Sequence, residues 1–331
     1  FISFESQVDY SSIQFEYLNS NNDNFDIYSG LQLNRYQVSP GNLNPGFGNN
    51  INPVDLDKET GYEASIYTNF NWDLNEKLKF STGIRLTQFL LTGPFQESQY
   101  STEGIVDSIE YFDNNELVVD YFNPEPRIGI NYKSGKNSSF KLSYARLFQY
   151  IQNIYNTNTP LPTSRWKISD RYILPQKNDT FGIGFYKNFT DSFIELSLEG
   201  YYRKTENNLT YRPGADFFLS EFIEREITQA RGNSYGIELS LKKTLGKFNG
   251  VFNYTWSRSL LITDESNPLF KINNNNWFNS DFDRPHTFNA SINFENDKFN
   301  SFSFNFVGQS GRPYTVANGI FERQNVTIPI Y

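Results

Sequence analysis

The 331 residues carry 29 Lys and Arg against 37 Asp and Glu, a net charge of −8 with the cations scattered, which excludes a nucleic-acid surface built on clustered basic residues. With no cysteine, the chain has neither a disulfide framework nor a thiolate metal site. A mean hydropathy of −0.59 and the lack of any apolar run near the ~18 residues of a spanning helix exclude a helical membrane protein. They do not exclude a barrel, in which only every second residue meets lipid. Methionine is also absent, so the sequence reads as a mature or partial piece, with no signal peptide visible at Phe1.

From Ile2 to about Arg312 one unit recurs: an alternating strand, a short polar turn, a second such strand and a long loop. The first turn falls near Asn21 to Asn24, followed by a long connection over 40–59. The second turns at Asp73 to Lys77 and opens into 93–119, the third at Ser134 to Asn137 and into 151–175, the fourth at Thr190 to Ser192 and into 211–226. Leu245 to Lys247, then 263–284, and Glu295 to Lys298, with a last loop after Arg312, complete the series. Tight turns at one end and large loops at the other are the rhythm of an outer-membrane barrel. The reading is all-β: a transmembrane, antiparallel, up-and-down β-barrel.

The strands support it residue by residue. Phe288, Ala290, Ile292 and Phe294 alternate with Thr287, Asn289, Ser291 and Asn293, and Phe302, Phe304 and Phe306 alternate with Ser301, Ser303 and Asn305. Leu78, Phe80, Ile84 and Leu86 oppose Lys79, Ser81, Arg85 and Thr87 in the same way. Alternation alone also suits a soluble sandwich. Strands of about 10 to 16 residues, longer than the usual 5 or 6 of globular sheets, favour a membrane wall. So do aromatic residues at strand ends, such as Phe70 with Trp72 and Tyr254 with Trp256, since aromatic rings favour the headgroup level.

Candidates for chemistry are few. His286 is the only histidine, and a barrel hydrolase would need it as general base beside a nucleophile such as Ser280. A strand-capping role beside Pro285 explains it better. Gly182 and Gly184 form half of a dinucleotide fingerprint, but they read as strand glycines under aromatic crowding. Asp264, Glu265, Asp281 and Asp283 lack calcium-loop spacing and read as solvated charge. No catalytic residue, metal ligand or cofactor site follows, and an enzyme is not expected. Arg85, Lys141, Glu195, Glu199, Glu238 and Lys242 fall on the polar faces of their strands and are expected to face the lumen, lining a wet pore or holding a plug.

Seven stretches carry a family resemblance. They are Tyr67 to Arg85, Phe122 to Tyr132, Tyr144 to Phe185, Asn233 to Lys243 (NSYGIELSLKK), Phe252 to Ser259 (FNYTWSRS), Phe282 to Phe294 (FDRPHTFNASINF) and Gly308 to Thr315 (GQSGRPYT). In consistent order over nearly the whole chain, they resemble the barrel of TonB-dependent outer-membrane receptors of the Bacteroidetes type. The resemblance implies a barrel of about 22 strands closed by an N-terminal plug, importing a scarce, bulky nutrient with energy from TonB and the proton gradient. On that pattern residues 1–331 are a C-terminal part of the barrel domain with about twelve strands, the plug, the TonB-contacting segment and the terminal strands lying outside it.

The loops near 151–174 and 263–283 are then expected to bind or gate ligand. Tyr155, Trp166 and Trp277 would stack on it, and Arg165 and Arg171 would pair with an anionic one. Expected companions are outer-membrane lipid, TonB through the N-terminal part, and a surface lipoprotein or other outer-membrane subunits. The alternative is a receptor-like barrel serving as a structural subunit of a machine for protein export or insertion, without a working TonB contact.

Overall fold

The computed structural model describes residues 3–22, 24–44, 52–101, 106–154, 165–212, 215, 220–266, 271–296, 300–314, 319–323 and 326–330. Long strands dominate. β1 (Ser3–Asn22) and β2 (Phe25–Asn44) form the first hairpin, β4 (Glu59–Asp73) and β5 (Leu78–Thr92) the second, and β8 (Leu117–Gly135) and β9 (Ser138–Gln149) the third. β12 (Gln176–Phe189) with β13 (Ile194–Tyr211), β14 (Ile227–Lys243) with β15 (Phe248–Ile262), and β17 (His286–Glu295) with β18 (Ser301–Gln309) complete the wall. Two short strands, β3 (Val54–Asp55) and β16 (Phe278–Asn279), add to its loop end. Three further hairpins stand apart: β6 (Phe95–Tyr100) with β7 (Val106–Phe112), β10 (Ile151–Ile154) with β11 (Arg165–Ile168), and β19 (Gly319–Arg323) with β20 (Val326–Ile330).

The wall runs β1-β2-β4-β5-β8-β9-β12-β13-β14-β15-β17-β18, an up-and-down order in which each hydrogen-bonded neighbour is the next wall strand in the chain. All of these pairs are antiparallel. This is the all-β architecture read from the sequence, with the tight turns where the polar punctuation stands. No helix of the described residues is long and apolar enough to cross a membrane.

The structure differs from the sequence reading in the long connections. β2 continues to Asn44, beyond the expected loop start at residue 40, because β1 pairs with it as far as Ser3. The connections expected to be loops at 93–119 and 151–175 hold hairpins of their own. The strands of these hairpins, four to seven residues long, are too short to show a sustained alternation.

Register decides the two faces, because directly opposed residues in an antiparallel pair share one side. Leu31, Ile66 and Leu86 are successive partners on one face, and Gly30, Tyr67, Arg85 and Glu125 on the other. The first face stays apolar round the sheet: Ile84, Ile183, Ile237, Ile292 and Phe304 are 41–59% exposed. A band of this extent is unfavourable in water, and it is the surface a bilayer covers.

The second face carries a hydrogen-bonded lattice and is called the inner face below. Tyr67 donates to Glu16 at 3.0 Å and accepts from Gln14 at 2.9 Å. Arg85 donates to Gln32 at 2.9 Å and to Glu63 at 3.0 Å, and Glu63 also accepts from Tyr36 at 2.8 Å. Gly30 makes room for the Tyr67 ring, since a Cβ there would stand 2.4 Å from its hydroxyl oxygen. Near the loop end the pattern changes. Val38, Phe89 and Leu91 are apolar on the inner face and fully buried, covered by Val118, Tyr150 and Ile168.

This assignment of faces predicts opposite outcomes for adjacent residues of β14. Ile237→Arg on the apolar face is expected to cost about 2–4 kcal/mol in lipid, whereas Glu238→Gln on the inner face should stay within about 0.5 kcal/mol of the parent. Urea unfolding of the full-length protein in phospholipid vesicles measures both. Equal costs would refute the assignment.

Candidate ligand-binding mouth

At the loop end the β10–β11 hairpin folds against the inner face of β2 and β4. Its anchor is Lys167, whose ammonium lies 2.8 Å from Glu59 and 2.7 Å from Asp170, with all three side chains almost wholly buried. Neither carboxylate is left half-used. The second oxygen of Glu59 accepts the Ile168 N–H at 2.8 Å, and that of Asp170 accepts the N–H groups of Tyr172 and Ile173. Burial disfavours the charged lysine, but Asp170 and Glu59 outweigh it and raise its pKa above that of a free lysine. The ammonium also stands 5.2 Å from the centroid of the Phe95 ring.

Apolar packing continues the anchor. Ile168 enters the cluster of Val38, Phe89, Leu91, Val118 and Tyr150, where the Phe89 and Tyr150 rings stack at 4.5 Å. Other loops interlock with the segment that follows. Arg171 pairs with Glu97 of β6 at 2.9 Å, and the Tyr172 hydroxyl donates to the carbonyl of Ser98 at 2.8 Å. Tyr100 of β6 hydrogen-bonds Glu224, tying in the connection between β13 and β14. Burial pushes the Glu97 carboxyl up, against the pull of Arg171.

The ligand candidates read from the sequence are placed unequally. Arg165 is buried and donates to the carbonyl of Ser220 at 2.6 Å, burial pulling its pKa down, while Arg171 is half exposed on Glu97. Trp166 packs against the Ile168 cluster. Trp277, 43% exposed, stands apart in the connection between β15 and β17. Tyr155 lies outside the described residues. Arg165, Trp166 and Arg171 thus come together on one folded segment, and Trp277 does not join them.

The six charges assigned to the lumen share the inner face. Arg85 stands in the lattice at the middle of β5. Lys141, Glu199 and Glu238 follow one row across β9, β12, β13 and β14 through Gly184, with Glu199 directly opposite Glu238. Glu195 opposes Lys242 and pairs with it at 3.5 Å. His286 starts β17 with its ring Nδ1 2.9 Å from the Tyr254 hydroxyl, while the Ser280 hydroxyl accepts the Phe282 N–H. Asp264 and Asp283 pair with Arg231 and Arg258. Among the described residues no group of three acidic or histidine side chains could hold a metal ion.

The docked hairpin separates two cavities. One, of about 390 Å³, is lined by amides and hydroxyls, among them Gln149, Asn153, Asn178, Thr205 and Ser234, together with Arg203, Asp281 and several apolar side chains. The other, of about 290 Å³, is bounded by Arg165 and Lys167 but by more carboxylates, including Asp57, Glu221 and Glu224. Reading the sequence missed Glu59, Lys167, Asp170 and Glu97. The run Phe89-Leu90-Leu91 was the available signal, because three apolar residues in succession put at least one on the inner face.

A family model described as "TonB dependent receptor-like, beta-barrel" matches residues 2–329. Among solved structures, the FrpB iron transporter from Neisseria meningitidis (F3-3 variant) is similar with a TM-score of 0.60 at 12% identity, over 91% of this chain and 42% of that one. The copper transporter OprC gives 0.58 at 10% identity, over 88% and 42%. The ferric yersiniabactin uptake receptor FyuA from Yersinia pestis gives 0.53 at 12% identity, over 92% and 42%. The chain therefore spans less than half the length of these structures, and the likeness is one of fold. No curated protein matches the sequence. With the family model covering nearly every residue, the chain belongs to the TonB-dependent receptor β-barrel family, whose barrels reside in the outer membrane.

Proposed function

We propose that the chain is part of an outer-membrane receptor and transporter, of the Bacteroidetes type its motifs resemble, which captures a scarce, bulky ligand at the mouth and imports it with energy delivered through TonB. On this reading the whole barrel has about 22 strands, with the plug and the TonB contact supplied by other parts of the protein. The observation that carries it is the β10–β11 hairpin seated in the mouth by Lys167, above an inner wall of hydrogen-bonded polar side chains. A wall of this many strands is too wide for its own side chains to fill. A guarded polar passage serves import. The relatives named as iron and copper transporters and as a ferric yersiniabactin uptake receptor support the same class of activity.

In this scheme ligand arriving from outside meets Trp277 as an exposed stacking surface. Arg165, Trp166 and Arg171 engage it once the hairpin leaves the wall, Arg165 and Arg171 by pairing with anionic groups. The inner-face charges, from Arg85 to Lys242, line the passage or hold the plug.

Two experiments test the proposal. Lys167→Met leaves two buried carboxylates without their cation, a change on the order of 3–5 kcal/mol. Hydrogen exchange of the 165–174 segment in the full-length receptor should therefore accelerate roughly a hundredfold or more. Unchanged protection would remove the anchor role. For transport itself, uptake by cells carrying the full-length receptor should collapse when TonB is deleted or the proton gradient dissipated. If such deletion instead leaves uptake intact and loss of the receptor impairs assembly of other outer-membrane proteins, the export or insertion subunit is the right reading.

A further inference from the structure

The apolar outer face is interrupted by a groove of about 700 Å³. Its floor is Gly200 of β13, directly opposite Ile183 of β12 and Ile237 of β14. Phe181, Tyr202, Tyr235 and Trp256 stand round it. A Cβ on Gly200 would make only ordinary contacts, 3.4 Å from Ile183 and 3.8 Å from the Gly236 carbonyl, so the groove is open space and not a tight strand contact.

Toward the loop end, the same face carries a charge cluster. Side chains alternate along a strand, so Lys204 follows Tyr202 on this face, Asp179 adjoins Phe181 and Arg146 follows Tyr144, each one step of ~6.6 Å away. Arg146 pairs with Asp179 at 2.8 Å, Lys177 with Asp179 at 3.7 Å and with Glu206 at 3.1 Å, and Lys204 with Glu206 at 2.8 Å. The Tyr144 hydroxyl donates to Asp179 at 2.7 Å, joining the aromatic rim to the charges. Three cations thus share two carboxylates. One positive charge is left uncompensated in a chain whose net charge is −8, and Lys204 is half exposed.

We propose that this is a binding site for one anionic, phosphate-bearing lipid of the outer membrane, its acyl chain lying over Gly200 and its phosphate at Lys204 and Arg146. Aromatic rings with cations just beyond them mark headgroup depth. Lipid tails are as apolar as the groove, so the groove contributes packing while selection comes from the head, where the excess positive charge stands. A second barrel docked by two-fold symmetry would bring the same cation-rich cluster to this height. An anionic lipid meets it with opposite charge.

The test is native mass spectrometry of the delipidated full-length receptor, mixed with equal amounts of phosphatidylglycerol and phosphatidylcholine of identical chains. The parent protein should retain phosphatidylglycerol roughly fivefold over phosphatidylcholine, the scale of one cation near an anionic head. Lys204→Gln should abolish that preference with total lipid retained, and Gly200→Leu should lower retention of both lipids, with circular dichroism confirming that each variant is folded. Equal retention of the two lipids by the parent overturns the proposal, as does a preference that survives Lys204→Gln. A Gly200→Leu effect confined to the dimer population would assign the groove to a second copy instead.

Discussion

Within a bilayer the backbone has no water to bond, and every N–H and C=O of a spanning segment must find its partner in the protein. A continuous antiparallel ladder meets that constraint, and the rest of this molecule depends on it. The register runs from β1 to β18 through wall strands that are consecutive in the chain. Once it is set, Ile66 and Ile237 can only face outward and Arg85 and Glu238 only inward, because a slip of one residue would exchange all of them at once. The short turns serve the same end: each returns the chain at once to the neighbouring strand, so that every wall strand between β1 and β18 is paired on both sides where it crosses the apolar layer.

The two faces answer to different environments. Outside, side chains gain little from burial against one another, since lipid offers the same surroundings. Inside, the wall is held by directed polar contacts that fix individual rotamers: Arg85 between Gln32 and Glu63, and Tyr67 between Gln14 and Glu16. Such contacts keep an inner wall ordered where it is wet, because these polar groups already have protein partners that water does not have to replace. Among the described residues an ordinary apolar core appears only at the loop end, where Val38, Phe89 and Leu91 receive Ile168. At the mouth, therefore, a loop is fastened to the wall by water-driven burial.

The barrel was legible because its signal is local. Phe288, Ala290 and Ile292 against Thr287, Asn289 and Ser291 state the pleat within a few residues, and the polar turns punctuate it. The folded mouth was not legible, because its contacts join residues distant in sequence. Lys167 meets Glu59 from another connection, and Arg171 meets Glu97 from a third. Arg165 and Arg171 read as free cations in a polar loop. Their carbonyl and carboxylate partners at Ser220 and Glu97 follow only from the docking of the hairpin. Trp166, expected as a stacking surface, packs in the docked state against the core that the hairpin completes.

That dependence gives the docked hairpin a physical character of its own. Replacing a buried ion pair by apolar residues is often neutral, but breaking one is costly, so such a contact tends toward two states. Lys167 has both carboxylates in the docked state, and Glu59 and Asp170 spend their remaining oxygens on the amides of Ile168, Tyr172 and Ile173. Partial withdrawal would leave charges desolvated without partners, whereas full withdrawal returns them to water. A ligand can shift this equilibrium only by as much as it prefers one state. Full withdrawal would also free Arg165 from Ser220 and place it at the mouth with Lys167 and Glu59, so the open mouth would present charges that the closed one conceals. Under the proposed import function, the groups that hold the hairpin in place are the ones through which an arriving ligand would distinguish the two states.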